Sequence, residues 1–89
     1  MTSKNKYIKW IQSRIHQIEL HFIKFDQAIT EGNMVRAIYY QNEIYQKFWL
    51  QVVDIRDKYK PLPKELEQIY LLTQAKVYEN QSISLNSPY

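Results

Sequence analysis

The sequence predicts an all-α protein: a long antiparallel helical hairpin plus a shorter third helix, which together make a three-helix bundle. Two observations predict this class. Apolar residues follow helical spacing over three segments, and the residues that break helices fall between those segments at Gly32, Pro61 and Pro63. We expect one helical domain over residues 1–80 and a flexible C-terminal tail over 81–89, which is uncharged and contains Pro88.

The first predicted helix begins near Ser3 or Asn5 and runs to about Thr30. Its apolar residues alternate steps of three and four, the a/d spacing of a heptad, which places them on one face. They are Ile8, Ile11, Ile15, Ile18, Phe22, Phe25 and Ile29. A helix with such a face is insoluble alone, so it must pack against other helices.

Gly32 suits the left-handed residue that ends the first helix, and Asn33 suits the N-cap of the second. The second helix is predicted from Met34 to about Tyr59, with a heptad stripe that has one polar member, Gln41. The stripe is Met34, Ile38, Gln41, Tyr45, Phe48, Val52, Ile55 and Tyr59, and it is widened by Val35, Ala37, Ile44, Trp49 and Val53. Gln41 or Asn42 either fixes the helix register through an interhelical hydrogen bond or faces water.

The third predicted helix follows Lys60-Pro61-Leu62-Pro63, a stretch in which proline cannot continue the second helix. Pro63 suits its first position, and Glu65 and Glu67 suit the positive end of its dipole. It should end near Glu79 or Asn80. Its predicted apolar face is Leu62, Leu66, Ile69, Tyr70, Thr73 and Val77.

Helix lengths predict an open surface near Gly32. At 1.5 Å per residue the first two helices are each about 40 Å long, whereas the third is about 25 Å long and starts at the opposite end of the hairpin. We therefore expect a helix from another protein, or a second copy in a homodimer, to bind next to the turn. The predicted contact residues are Phe22, Phe25, Ile29, Met34, Ile38, Tyr39 and Tyr45. The alternative is that these residues form ordinary core, covered by Tyr39, Tyr40 or the tail.

Positive charge is concentrated at the N-terminus, because Lys4, Lys6, Lys9 and Arg14 all precede the first acid, Glu19. We expect Lys6 and Lys9 to steer an acidic protein partner towards the chain. The alternative function is a small basic nucleic-acid-binding protein that uses the first helix, with lysines on phosphates and Tyr7 and Trp10 stacked on bases.

Composition argues against catalysis and cofactor binding. Cysteine is absent, one glycine cannot build a phosphate-binding loop, and His16 and His21 are five residues apart, which places them about 140° apart around a helix. We expect no enzyme activity, no metal or other cofactor and no small-molecule substrate. No apolar run approaches the roughly 18 residues of a membrane span, and no export signal is recognisable. The expected function is a non-catalytic adaptor, chaperone or regulator in the cytoplasm.

Overall fold

Three helices make up the part of the chain that the structure describes. The computed structural model covers the backbone of residues 2–85 and the side chains of residues 6–85, and it contains no strand within that range. Helix α1 is Thr2–Glu31, α2 runs from Met34 to Tyr59, and α3 is Lys64–Ser82. The predicted all-α class is confirmed.

A two-residue turn, Gly32 and Asn33, reverses the chain between α1 and α2. Gly32 has a φ of 75°, a left-handed conformation that is strained for residues with a side chain. The Gly32 amide donates to the Ile29 carbonyl at 3.0 Å and the Asn33 amide donates to the Ala28 carbonyl at 2.8 Å, which is the Schellman pattern. The Asn33 side-chain oxygen accepts a hydrogen bond from the Arg36 amide at 3.1 Å. Both residues thus have the roles that the sequence predicts.

The beginning of α1 contacts the end of α2 at the end of the molecule opposite Gly32, which we call the open end. There the ring of Tyr7 stacks on that of Tyr59 with centroids 4.5 Å apart, and the Tyr7 hydroxyl donates to the Tyr59 carbonyl at 3.1 Å. Farther along, the Arg14 guanidinium donates to the Gln51 amide oxygen at 2.9 Å. The molecule is a rod of 53 × 18 × 17 Å.

The main core occupies the open end and the middle of the rod, where three helices meet. Trp49 is its largest fully buried side chain and stacks on Tyr70 with centroids 5.1 Å apart. The buried members are Tyr7, Ile11, Ile15, Ile18, Ile44, Phe48, Trp49, Val52, Leu62, Leu66, Tyr70 and Val77. Each large apolar side chain among them stabilises the fold by roughly 1.5–3 kcal/mol when fully buried.

The middle of α2 departs from α-helical geometry. Met34–Asn42 and Leu50–Tyr59 are α-helical, but the segment between them, Glu43–Trp49, is a π-helix, and the Leu50 amide bonds to the Tyr45 carbonyl five residues back. A π-turn adds one residue to a helix turn, so the inward face before it shifts by one position.

That shift corrects the predicted stripe of α2. Phe48 and Val52 are buried as predicted, but Ala37, before the π-helical segment, and Ile44, within it, are buried in place of the predicted Ile38 and Tyr45. Ile38 and Tyr45 are only half-buried, and Met34 is 42 % exposed. The heptad spacing was the wrong guide here because it assumes about 100° per residue throughout.

Helix α3 begins one residue after Pro63 and ends at Ser82, two to three residues beyond the predicted end. Leu62, Leu66, Tyr70, Thr73 and Val77 are buried as predicted. Ile69 is 44 % exposed, contrary to its predicted place on the buried face. It lies beside a cleft between α3 and α1.

The predicted tail lies partly inside the described range. Gln81 and Ser82 are the last residues of α3, and Leu85 packs against a small second core of Phe25, Ala28 and Ala37. Residues 86–89 lie outside the described residues. The flexibility of the tail stays a prediction.

Candidate functional site

The hairpin next to Gly32 has a different interior from the rest of the molecule. Its buried residues are Phe25 and two alanines, Ala28 on α1 and Ala37 on α2. Because an alanine has only a methyl group, the two helices approach closely with little side-chain volume between them. Ala28 therefore occupies the inward position, and the neighbouring Ile29, predicted to be part of the buried face, is 36 % exposed.

The end of α3 is bonded to α2 through Gln41. The Gln41 side-chain amide donates to the carbonyl oxygens of Asn80 at 2.7 Å and Ile83 at 2.9 Å, and the Gln81 side chain donates back to the Gln41 carbonyl at 2.9 Å. These bonds satisfy carbonyl groups that are left without partners at a helix C-terminus. Gln41 thus makes the interhelical hydrogen bond that was one of its two predicted roles, while Asn42 is exposed.

Three predicted contact residues remain accessible beyond this bonded end of α3. Ile29 and Met34 flank the turn, and Ile38 is one helical turn after Met34 and half-buried. We call these three residues the turn-end surface. Tyr40 and Leu85 pack against the Phe25 cluster beneath this end of the molecule. An apolar surface at the end of a small domain is the usual setting for a protein contact.

The other predicted contact residues are placed differently. Phe25 is 3 % exposed and belongs to the small core, so it supports the surface from beneath. Phe22 and Tyr45 are partly buried and pack against the main core. Sequence spacing alone did not distinguish these buried residues from the exposed ones. Which residues are covered depends on where α3 ends and on the π-turn in α2.

Tyr39 is 56 % exposed and follows Ile38 directly in the sequence. Its ring meets that of Tyr40 with centroids 5.2 Å apart. Tyr40 in turn contacts His21 and accepts a hydrogen bond from the Arg36 guanidinium at 3.2 Å. That hydrogen bond raises the pKa of Arg36 and lowers the pKa of Tyr40. The participation of Tyr39 in one contact with Ile38 stays a prediction.

The N-terminal end of α1 has exposed charge but engaged aromatic rings. Lys6 and Lys9 are exposed. Tyr7 is buried and stacked on Tyr59, and the Arg14 guanidinium lies over the Trp10 ring, 4.4 Å from its centroid. Tyr7 is thus engaged within the fold, and Trp10 is half-buried with Arg14 on its ring. The alternative function stays a prediction.

A third polar feature joins α2 to α3 near the open end. The Arg56 guanidinium contacts the Glu67 carboxylate at 2.5 Å and lies over the Tyr70 ring, 4.8 Å from its centroid. The hydrogen bond that Arg56 donates to the Glu67 carboxylate raises the pKa of Arg56, and burial raises the pKa of Tyr70. Both shifts keep the groups in their ordinary neutral-pH forms, so this cluster orients α3 and offers no group poised for proton transfer.

Within residues 2–85, no group of three or more histidine, aspartate or glutamate side chains is arranged to hold a metal ion. Over the same range, no helix has both the length and the apolarity that crossing a bilayer requires. The chain matches no protein-family model, no curated protein and no solved structure.

Proposed function

We propose that this chain is a non-catalytic protein–protein interaction module, an adaptor, chaperone or regulator, that binds a helix of a partner at the turn-end surface. In this proposal α1 and α2 form the long hairpin of a three-helix bundle, and α3 completes the bundle only at the open end. The cytoplasm is the proposed location. The observation that supports it best is the phase shift in α2.

The π-turn moves apolar residues outward instead of burying them. With continuous α-helix, Ile38 and Tyr45 would lie in phase with Phe48 and Val52; with the π-turn, Ala37 and Ile44 take those positions, and Met34 is 42 % exposed. A helix that only needed a core would gain from burying Met34 and Ile38, roughly 1.5–3 kcal/mol each when complete. The exposure of Met34 and the half-buried position of Ile38 are explained if another molecule covers them. Short π-helical segments occur frequently at functional sites.

A second copy of the chain is the other occupant that the proposal includes. A homodimer would bury the turn-end surfaces of two hairpins against each other, with the same residues on both sides of the interface. Light scattering at micromolar concentration distinguishes the two forms. The dimer is supported if the wild type has the mass of two chains and Met34→Asp has the mass of one. If the wild type is a monomer at all concentrations, the occupant is a helix of another protein.

The test of the surface uses charge substitutions that the fold tolerates. Ile29→Asp and Met34→Asp place a carboxylate on the turn-end surface, whereas Val35→Asp places one on the same turn of α2 at a side chain that is 79 % exposed. We expect the first two variants to lose at least tenfold in capture of the partner isolated with the wild-type chain, or in self-association, while Val35→Asp retains both. Circular dichroism should show equal helix content in all three.

Two results would contradict the proposal. Equal binding by Ile29→Asp, Met34→Asp and Val35→Asp would show that the turn-end surface makes no contact. Loss of helix content in Met34→Asp but not in Val35→Asp would show that Met34 belongs to the core of the single chain.

A further inference from the structure

A groove runs between α1 and α3, apart from the turn-end surface. One part, a cleft of ≈ 360 Å³, is lined by Ile15 and Glu19 of α1 and by Ile69 of α3. The next part, a cleft of ≈ 570 Å³, is lined by residues that include Phe22, Asp26 and Lys76. The groove follows α1 from Gln12 to Asp26, which is about 21 Å, or about four turns of helix.

Each wall of this groove has a row of exposed residues at the spacing of a helix-packing face. On α1 the row is His16, Glu19, Ile23 and Asp26; on α3 it is Ile69, Leu72, Lys76 and Glu79. Six of these residues line the two clefts, and Ile23 and Leu72 belong to the rows by their spacing. Steps of three and four place each row along one line of its helix. Ile23, Ile69 and Leu72 are among the exposed large apolar residues of the described chain. Two such rows on neighbouring helices have the form of an acceptor for a further helix, as in a four-helix bundle.

The charge of the groove is opposite to that of the protein. The chain has a net charge of +3, yet the two rows contain three carboxylates, Glu19, Asp26 and Glu79, against one ammonium group, Lys76. None of these four side chains takes part in an ion pair with another residue in the described part of the chain. Their charge is therefore available to a molecule that enters the groove.

This charge also argues against a second copy as the occupant. A symmetric dimer places the same surface on both sides, so the carboxylates of one groove would face those of the other. Like charges brought together at an interface oppose binding. A helix with basic residues beside its apolar stripe places an opposite charge near Glu19, Asp26 and Glu79 instead.

We propose that the groove between α1 and α3 binds an amphipathic helix of about four turns whose apolar stripe is flanked by lysine or arginine, completing a four-helix bundle. The proposal goes beyond the function assigned to the turn-end surface, because it adds a second surface and the charge of what binds there. Either can fail without the other.

The test uses two designed helical peptides about four turns long. They share the same leucine stripe and differ only in flanking lysines or glutamates. Fluorescence anisotropy at low salt should show saturable binding of the lysine peptide and none of the glutamate peptide. The double variant Asp26→Asn with Glu79→Gln should weaken binding by about tenfold, and Leu72→Ser by a similar factor, whereas Asp54→Asn, an exposed carboxylate on α2, should leave it unchanged.

Several outcomes would overturn this proposal and leave the turn-end surface unaffected. Absence of lysine-peptide binding, or equal binding of the two peptides, would do so. The proposal would also be overturned if Asp54→Asn weakened peptide binding as much as the double variant does. That result would mean that the charge of the whole protein surface, and not the groove, attracts the lysine peptide. Self-association abolished by Leu72→Asp would identify a second copy as the occupant. Circular dichroism and thermal melting of every variant separate these results from a loss of folding.

Discussion

The two ends of the hairpin are built differently, although the same two helices form both. At the open end, α3 lies over the hairpin and large side chains such as Trp49, Ile11 and Val52 are fully buried. At the turn, α3 has ended, the interior consists of Phe25 and two alanines, and Ile29 and Met34 are exposed. The open end is organised for stability, and the turn end keeps apolar surface in contact with water.

Under the proposed function, this difference would keep the residues that hold the fold apart from those that bind a partner. The aromatic and ionic contacts between helices near the open end, Tyr7 with Tyr59 and Arg56 with Glu67, fix the helices without using the turn. The turn itself is held by backbone hydrogen bonds and by the closeness that Ala28 and Ala37 allow. Side chains next to the turn are therefore available for contact with a partner at little cost to the fold.

The largest expected effect is at the open end. Trp49→Ala should lower the free energy of unfolding by roughly 3–5 kcal/mol, because it removes a fully buried ring stacked on Tyr70 and leaves a cavity. Urea denaturation, monitored by circular dichroism, measures this loss of stability. The matched control is Leu50→Ala, at a neighbouring side chain that is 45 % exposed. A loss for Trp49→Ala no greater than for Leu50→Ala would remove the contrast between the two ends.

At the turn end the interior should be sensitive to added volume. Ala37→Leu inserts three carbon atoms at a fully buried position beside Phe25 and Ala28, and it should lower the free energy of unfolding by roughly 1–3 kcal/mol. Val35→Leu, on the same turn but exposed, should have little effect. Tolerance of Ala37→Leu in the same denaturation assay would mean that the helices are not held close by alanine.

A smaller effect is expected from the hydrogen bond that joins the helix ends. Tyr7→Phe keeps the stacked ring but removes the hydroxyl that donates to the Tyr59 carbonyl, so it should cost roughly 0.5–1.5 kcal/mol. Tyr78→Phe, at an exposed ring, serves as the control and should be neutral. Thermal melting of both variants measures the difference. Equal melting temperatures for Tyr7→Phe and Tyr78→Phe would contradict the prediction.

The smallest expected effect is confined to alkaline pH. Burial raises the pKa of Tyr70, so the folded protein holds this proton more tightly than the unfolded chain does. The resulting stability is fully present below the ordinary tyrosine pKa of about 10 and is lost as the pH rises above it. The charge of Arg56, 4.8 Å from the ring, opposes the shift in part.

Denaturation at several pH values compares the wild type with Tyr70→Phe. The wild type should lose more stability than Tyr70→Phe between about pH 9 and pH 11, and Tyr78→Phe should behave like the wild type. Parallel curves for the wild type and Tyr70→Phe would show that this phenol stays accessible in the folded protein.

Local signals in the sequence were sufficient for the helix boundaries. Gly32 and Asn33 define a turn through backbone geometry and side-chain capping, and Met34 and Tyr59 bound the second helix as predicted. The buried positions of α1 from Ile11 to Ile18 follow directly from the spacing. These features depend on residues close in sequence, which is why spacing alone identifies them.

The candidate site was less predictable because it depends on contacts between distant residues. No local signal announces that Glu43–Trp49 is π-helical, so the shift that buries Ala37 in place of Ile38 could not be foreseen. The bonds from Gln41 to Asn80 and Ile83 join residues about forty positions apart. Spacing therefore did not indicate that Phe25 would be buried while Met34 and Tyr39 are exposed, and the contact set itself stays a prediction.

The most direct test measures exposure at the turn with single thiols, which the absence of cysteine makes unambiguous. Met34→Cys and Ala37→Cys are labelled with a thiol reagent at a protein concentration low enough to keep the chain monomeric. The structure predicts fast labelling of Met34→Cys and strong protection of Ala37→Cys, because the first side chain is exposed and the second is fully buried. Equal protection of the two thiols would show that the single chain covers its own turn end, and it would contradict the proposed binding surface.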